Sequence, residues 1–207
     1  MAPMRSACRH LRTLQPESLT GSIRGREWSL APGPTRHAAA LEWRMNTLAS
    51  ANIRGAHSDE IGQLAKIWFD GWQDAHARIV PAELTRLRTL HGFEERLLAA
   101  FTGVRVAGIL GAPVGFYFLK GAELYQFYVS SVARGSGVAA ALMADAEARL
   151  GMSGVHSAWL ACAIGNDRAA RFYEKSGWLR TGTVTDDVEV PGGTFALEVW
   201  RYQKSLR

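Results

Sequence analysis

A strand, a glycine-rich turn and a helix form the pattern in this chain that is most informative about chemistry. Residues Val129 to Ala139 read VSSVARGSGVA, and the turn consists of Arg134, Gly135, Ser136, Gly137, Val138 and Ala139. Glycine lets a ligand lie against bare backbone, and the first N–H groups of a helix have no partner within the helix. Together with the fixed positive charge of Arg134, this pattern predicts a phosphate-binding site.

Two common phosphate-binding patterns fit the turn poorly. Gly135 to Ala140 matches the loose dinucleotide pattern G-x-G-x-x-A, which also requires an acidic residue about 20 positions later to hold the ribose. Trp159 to Cys162 occupy that region and contain no acid, and the Gly-Lys-Ser/Thr of a P-loop does not follow the turn. The turn alone therefore does not identify the phosphate compound.

A second pattern, about 30 residues later, supplies the missing information. Asn166 to Trp178 read NDRAARFYEKSGW. Taken together with RGSGVA, this stretch resembles the GNAT superfamily of acyl-CoA-dependent N-acetyltransferases, and the resemblance covers residues 51 to 204. The matching positions are Arg134, Gly137 and Ala139 in R/Q-x-x-G-x-G/A, and Asn166, Ala169, Phe172, Tyr173, Gly177 and Trp178 in N-x-x-A-x-x-F-Y-x-x-x-G-F/W.

The resemblance implies that acetyl-CoA is the co-substrate and that no metal takes part. An amine would attack the thioester directly in a ternary complex. The pantetheine arm would lie between two parallel strands that splay apart, Glu123–Val129 and Ser157–Ile164, and an N–H at a strand bulge near Val129 would polarise the carbonyl oxygen. The implied cofactor-binding residues are Phe127, Val129, Arg134, Gly135, Ser136, Gly137, Val138, Ala139, Asn166 and Tyr173.

Two proton transfers require catalytic groups. An alkyl ammonium, with a pKa near 10.4, must lose a proton before it attacks, and the leaving thiolate of CoA accepts one. The resemblance assigns the acid role to Tyr173. For the base we expect either Glu123, at the start of the strand that leads to the turn, or water. Glu123 has the same strand phase as Val129, although a bulge would reset that parity.

The acceptor is expected to be a primary amine on a small molecule. A peptide or protein N-terminus or lysine is the alternative acceptor, and a sensor that binds acyl-CoA without turnover is the alternative function. The loops around Trp72–Leu90 and Thr185–Thr194 are expected to shape the acceptor pocket, where Asp186, Asp187 and Glu189 would attract a cation. We expect Trp68 to be a core residue and His76 to lie on a surface loop.

Strand and helix patterns alternate along the chain from Met45 onward. Strands are predicted at 51–56, 104–110, 114–119, 123–129, 157–164, 179–190 and 194–202, and the main helices at 138–150 and 166–176, with a first helix capped by Ser58. In the third of the longer strands, Glu123, Tyr125, Phe127 and Val129 would share one face. The predicted fold is α/β, with a mixed, mostly antiparallel central sheet, a splayed parallel strand pair and flanking helices.

The charge of the chain is concentrated at its beginning. Of a formal net charge of +5 over 207 residues, the first 44 residues hold seven Arg and three Glu, together with four of the seven prolines. We therefore divide the chain into a basic, Pro-rich, poorly ordered extension at 1–45 and an acetyltransferase domain at 46–207. The extension could be a nucleic-acid arm, a transit peptide or a segment without a role, and the third interpretation is favoured.

Composition excludes several classes of protein. Two cysteines cannot form a disulfide scaffold, and six histidines show no metal-ligand spacing. The longest apolar run, Ala158 to Ile164, is far shorter than the roughly 20 residues of a membrane helix. We expect a soluble, cytoplasmic transferase without nucleic-acid or membrane partners, and a homodimer is compatible with the sequence.

Overall fold

The computed structural model describes residues 52 to 206. The expectation of a poorly ordered basic extension at 1–45, and the boundary at residue 45, lie outside these residues. Within the described part, no helix combines the length and apolar character needed to cross a membrane.

Seven strands, five α-helices and three short 3₁₀ turns make up the described chain. The strands are β1 (Ile53–Gly55), β2 (Arg105–Ile109), β3 (Ala112–Lys120), β4 (Glu123–Val129), β5 (Ser157–Ala163), β6 (Leu179–Val190) and β7 (Gly193–Ser205). The α-helices are α1 (Ile61–His76), α2 (Ala82–Leu87), α3 (Leu90–Ala99), α4 (Val138–Met152) and α5 (Asp167–Lys175). The 3₁₀ turns are Ser58–Glu60, Phe101–Gly103 and Ser131–Ala133.

The strands form one sheet in the order β1-β2-β3-β4-β5-β7-β6. Neighbouring strands are antiparallel except for β4 and β5, which are parallel. A parallel pair needs a crossover connection, and α4 supplies it between β4 and β5. The predicted mixed, mostly antiparallel sheet with one parallel pair and flanking helices is therefore confirmed.

Two apolar clusters hold the helices to the sheet. The α1–α3 cluster contains the inner face of α1, including Trp68, together with Phe93 of α3 and Phe116 of β3. The α4–α5 cluster contains the inner face of α4, including Leu142, together with residues of α5. Apolar residues three and four positions apart lie on one side of a helix, and each of these helices buries that side. The two clusters therefore hold both helical layers against the strands that border the site. Trp68 is fully buried, as the sequence predicted.

The start of the first helix differs from the prediction. A 3₁₀ turn at Ser58–Glu60 precedes α1, so the cap lies one residue earlier, at His57. The ring nitrogen Nδ1 of His57 accepts from the Asp59 N–H, and the Glu60 carboxylate accepts from the His57 N–H at 3.2 Å. This reciprocal arrangement is a capping box, whereas the Ser58 hydroxyl bonds to Asp59.

Candidate active site

The parallel strands β4 and β5 pair only where they begin. Glu123 is in register with Trp159, and the Trp159 N–H donates to the carbonyl of Ala122 at 3.1 Å. No later residues of the two strands are in register, although the far edge of β5 pairs with β7 along its whole length. The strands therefore splay apart, and backbone groups that a sheet would normally pair face the gap.

Two backbone amides of β4 point into this gap. The Ser130 N–H donates to the carbonyl of Val114 on β3 at 2.8 Å. Successive residues of an antiparallel strand alternate between bonding their neighbour and facing away from it. Because Val129 and Phe127 have the opposite phase to Ser130, their N–H and C=O groups face β5. These groups are available to an extended ligand that lies between the strands.

A cavity of about 500 Å³, here called the splay groove, follows the gap to the turn before α4. It brings together eight of the ten predicted cofactor-binding residues, namely Phe127, Val129, Arg134, Gly135, Gly137, Ala139, Asn166 and Tyr173. Ser136 and Val138 do not line the groove: the Ser136 hydroxyl donates to the Ala133 carbonyl at 2.6 Å, and the Val138 side chain is buried in the core.

The turn before α4 suits a diphosphate. Gly135 and Gly137 have φ angles of +79° and +88°, which side chains other than glycine rarely adopt. A Cβ built on either glycine would meet nothing within 4 Å, so the space beside the backbone is open. Gly137 is the N-cap of α4, and the first N–H groups of that helix lack intrahelical partners. Free amides, the positive end of the helix dipole and open space together fit a bound diphosphate.

An aspartate that the sequence analysis missed holds two arginines at the rim of the splay groove. Asp74 Oδ2 of α1 accepts from Arg134 Nη2 at 2.6 Å and from Arg168 Nη2 at 2.9 Å. The two arginines hold the pKa of Asp74 below its usual value. Arg134 is therefore one of a pair of guanidinium groups, and together with Asp74 they leave one net positive charge beside the turn.

Tyr173, on α5, lines the splay groove. Asn166 caps that helix, because its Oδ1 accepts from the Ala169 N–H at 3.3 Å. The Tyr173 side chain is 9% exposed, and its hydroxyl makes no hydrogen bond within residues 52 to 206. Burial raises the pKa of Tyr173 well above its usual value of 10, so the hydroxyl keeps its proton at neutral pH. The group is thus a proton donor that lacks a partner.

The bulge in β4 lies at Tyr125 and not near Val129, where it was expected. Leu119 of β3 pairs with Leu124, but Phe118 pairs with Gln126, so one residue of β4 is extra. The predicted single face of Glu123, Tyr125, Phe127 and Val129 is consequently wrong. Tyr125 packs on the α1–α3 cluster, whereas Phe127 and Val129 pack on the α4–α5 cluster.

Because of the bulge, Glu123 lies on the opposite face of β4 from Phe127 and Val129, and it lines a second cavity. This cavity has a volume of about 220 Å³ and lies between α1, β4 and β6. Its walls include aromatic residues (Trp68, Trp72, Tyr125 and Tyr128) and charged residues (Arg88, Arg96, Lys120, Glu123, Asp186, Asp187 and Glu189). Five residues line both the second cavity and the splay groove, namely His76, Tyr125, Gln126, Tyr128 and Ala161. The two spaces therefore adjoin each other.

His76 differs from its expected place on a surface loop. It is the last residue of α1 and is half-buried, with its ring stacked on Trp72 at 5.4 Å between centroids. Burial lowers the pKa of His76 to about 4, so the imidazole is neutral at physiological pH. Its Nδ1 lies 3.2 Å from the carbonyl oxygen of Trp72. A neutral imidazole therefore stands where the two cavities adjoin.

Glu123 is a buried carboxylate with a raised pKa. The residue is 8% exposed, and burial, together with the charge of Asp186, raises the pKa of Glu123 to about 7. Lys120 and Arg201 oppose this shift. A carboxylate that titrates near pH 7 can accept a proton at neutral pH, as a general base must.

Substituting Glu123 by glutamine tests this pKa. Because the pKa of Glu123 in the folded state lies above its ordinary value of 4.5, protonated Glu123 stabilises the fold below pH 4.5 and loses that contribution as the pH rises through 7. We expect the free energy of unfolding of the unsubstituted protein, relative to Glu123→Gln, to fall by about 1–3 kcal/mol between pH 4.5 and pH 8. Urea unfolding of both proteins across this range measures the difference, and a constant difference would contradict the raised pKa.

Comparison with known protein families identifies the same region of the chain. A model described as the acetyltransferase (GNAT) family matches residues 60 to 178, which is more than half of the chain. The match begins just before α1 and ends after α5, so it contains β4, the turn before α4 and Tyr173. No curated protein matches the chain.

Solved structures share the fold at low sequence identity. A GCN5-related N-acetyltransferase from Rhodopseudomonas palustris gives a TM-score of 0.59 at 23% identity, covering 75% of this chain and 95% of that chain. PaiA N-acetyltransferase from Thermoplasma acidophilum, solved in complex with coenzyme A, gives 0.56 at 17% identity, covering 74% and 98%. YncA from Salmonella typhimurium, solved with its cofactor acetyl-CoA, gives 0.52 at 18% identity, covering 75% and 94%.

Proposed function

Because this chain belongs to the GNAT acetyltransferase family, we propose that it transfers the acetyl group of acetyl-CoA to a primary amine on a small molecule. The observation that carries the proposal is the splay groove, one cavity lined by the β4 residues Phe127 and Val129, the glycine turn and Tyr173. The second cavity adjoins this groove and supplies a separate space for the amine.

Acetyl-CoA would supply the thioester, and the residues of the splay groove would hold it. The amides around Gly135 and Gly137 bind the diphosphate, and Arg134 and Arg168 add positive charge beside it. The backbone groups of Phe127 and Val129 that face the gap pair with the pantetheine arm as an added strand would. The Val129 N–H also donates a hydrogen bond to the carbonyl oxygen where negative charge develops.

The proton transfers are divided between the two cavities. Glu123, in the second cavity, accepts a proton from the ammonium group so that the free amine can attack. The new C–N bond forms as the C–S bond breaks, and the Tyr173 hydroxyl gives its proton to the departing sulfur. The new amide nitrogen then gives up its extra proton, which restores the hydroxyl of Tyr173. Because the pKa of Glu123 is near 7 and that of Tyr173 lies well above 10, each group is in the required protonation state near neutral pH.

The walls of the second cavity favour a small acceptor. Side chains from α1, α2, α3, β4 and β6 surround its 220 Å³. A protein acceptor would need an open cleft for the residues on either side of its amine. A sensor that binds acyl-CoA without turnover remains the alternative function, and the role of Tyr173 distinguishes it from an enzyme.

A thermal-shift panel tests the proposal directly. A ligand present at 100 times its dissociation constant adds about 2.7 kcal/mol to the free energy of unfolding. We expect acetyl-CoA and CoA to raise the melting temperature and NAD to leave it unchanged. Release of CoA thiol with a panel of primary amines then measures turnover. If no CoA compound raised the melting temperature, the proposed function would be wrong.

A further inference from the structure

Arg88 is a buried cation without a carboxylate partner. The residue is 8% exposed, and its Nη1 donates to the backbone carbonyl of Glu189 at 2.6 Å. Its Nε is buried and has no hydrogen-bond partner within residues 52 to 206. No carboxylate of these residues lies within 4.0 Å of the guanidinium group. Buried charges in proteins are normally paired, so this group has unused capacity to bind an anion.

The carboxylate of Glu189, the residue whose carbonyl Arg88 contacts, is engaged elsewhere. Glu189 Oε1 accepts from Lys120 Nζ at 3.2 Å, and Glu189 Oε2 lies 3.5 Å from Arg96 Nε. Burial and the neighbouring charge of Arg96 lower the pKa of Arg88 to about 10, so Arg88 still carries its charge at neutral pH. An anionic group on a ligand would compensate this charge and fill the free donors of the guanidinium fork.

Carboxylates without cationic partners line the same second cavity. Neither Glu123 nor Asp186 forms an ion pair within the described residues. Burial is the first cause of the raised pKa of each group, which indicates that no cation compensates either carboxylate fully. The cavity of about 220 Å³ thus presents uncompensated charges of both signs to one ligand.

We propose that the second cavity binds a zwitterionic acceptor, a small amino acid whose carboxylate pairs with Arg88 while its primary amine faces Glu123. This inference rests on the proposed function, because it names the acceptor class of the same site. Arg88 forms the two parallel hydrogen bonds that a carboxylate accepts, which a lone amine cannot do. A polyamine would instead place further positive charge beside Arg88 and Arg96.

Calorimetry with CoA-saturated protein tests the inference without turnover. The probes are the twenty L-amino acids, β-alanine and γ-aminobutyrate, followed by the carboxamide and the decarboxylated amine of the tightest binder. We expect the amino acid to bind at least tenfold more tightly than either derivative, because only the amino acid carries the carboxylate. Spermidine serves as a polyamine probe and is expected to bind more weakly than the amino acid.

Variants at Arg88 test whether this residue causes the preference for the amino acid over its carboxamide. In Arg88→Gln, the ratio of amino acid affinity to carboxamide affinity is expected to fall to about one, and Arg88→Lys should retain part of it because the charge remains without the fork. Arg86→Gln is the matched control, since Arg86 is exposed on α2, two residues before Arg88, and lines neither cavity. If Arg88→Gln fails to fold, the wild-type ratio and Arg88→Lys still decide the question.

The outcomes separate this inference from the proposed function. If spermidine or the carboxamide binds as tightly as the best amino acid, or if no amino acid binds, the zwitterion inference is overturned, while thiol release with other amines would keep acetyl transfer. If amino acids bind through Arg88 but no amine releases CoA thiol, the inference stands as a binding site and the transferase activity is refuted.

Discussion

Replacing Tyr173 with phenylalanine is expected to lower kcat by about 100-fold while the dissociation constant of acetyl-CoA changes by less than about threefold. A positioned general acid contributes about 10²–10⁴ in rate, and the variant loses the proton donor alone. The ring remains and still packs against Phe172 and Tyr202. Release of CoA thiol measures kcat, and calorimetry with acetyl-CoA measures binding.

The protonation state of Tyr173 is the reason that we expect a large loss of kcat. Burial raises the pKa of its hydroxyl, and within residues 52 to 206 no hydrogen bond engages the group. The proton therefore stays on the hydroxyl oxygen at neutral pH, and it is available to the departing thiolate of CoA when the C–S bond breaks. A tyrosine exposed to water would be replaced by solvent more easily, and its loss would cost less.

Tyr202→Phe is the matched control for this experiment. Its ring is fully buried and lies 5.8 Å from that of Tyr173, but Tyr202 does not line the splay groove and its hydroxyl donates to Glu174 at 3.2 Å. We expect this variant to lose stability and to keep its kcat. Unchanged kcat in Tyr173→Phe would remove the acid role, and the absence of turnover in both the wild type and the variant would favour the sensor.

Local patterns in the sequence were sufficient to predict the elements that carry the site. The RGSGVA turn and the helix after Asn166 depend on glycines, a cap and a helix start, which act within a few residues of the chain. For this reason the bounds of β4 and the start of α4 at Val138 agree with the prediction. The splay between β4 and β5 was implied by the family resemblance, and no local pattern encodes it.

Contacts between distant segments were beyond the reach of local patterns. The bulge at Tyr125 depends on how β4 pairs with β3, and it reversed the face assigned to Phe127 and Val129. Asp74 pairs with Arg134 across 60 residues and with Arg168 across 94. Nothing in the spacing of these three residues indicates that they meet.

Burial in the folded chain explains two further features that the sequence did not predict, the positions of Arg88 and His76. Arg88 follows a short helix in the sequence, and it is only 8% exposed because its guanidinium group lies over the Trp72 ring of α1 and bonds to the Glu189 carbonyl of β6. His76 follows an ordinary helical stripe, yet the fold turns it toward both cavities. Charged and polar residues in such sequences are most often exposed, so a prediction from composition places them at the surface.

Replacing Gly137 with alanine is expected to weaken acetyl-CoA binding about 30-fold, which corresponds to about 2 kcal/mol. The added Cβ meets no protein atom within 4 Å, so any steric effect on binding must come from a ligand that occupies this open space. The φ angle of +88° also strains alanine, which costs about 1–2 kcal/mol of folding stability. Calorimetry measures the affinity, and urea unfolding measures the stability.

Gly192→Ala separates backbone strain from loss of the ligand contact. Gly192 lies in the turn between β6 and β7, with a φ angle of +82° and nothing within 4 Å of a built Cβ, so its strain matches that at Gly137. It lines neither cavity. Both variants should lose similar stability, but only Gly137→Ala should lose affinity for acetyl-CoA. Equal affinities in the two variants would mean that the diphosphate does not lie against Gly137, and the binding mode proposed for the turn before α4 would then be wrong.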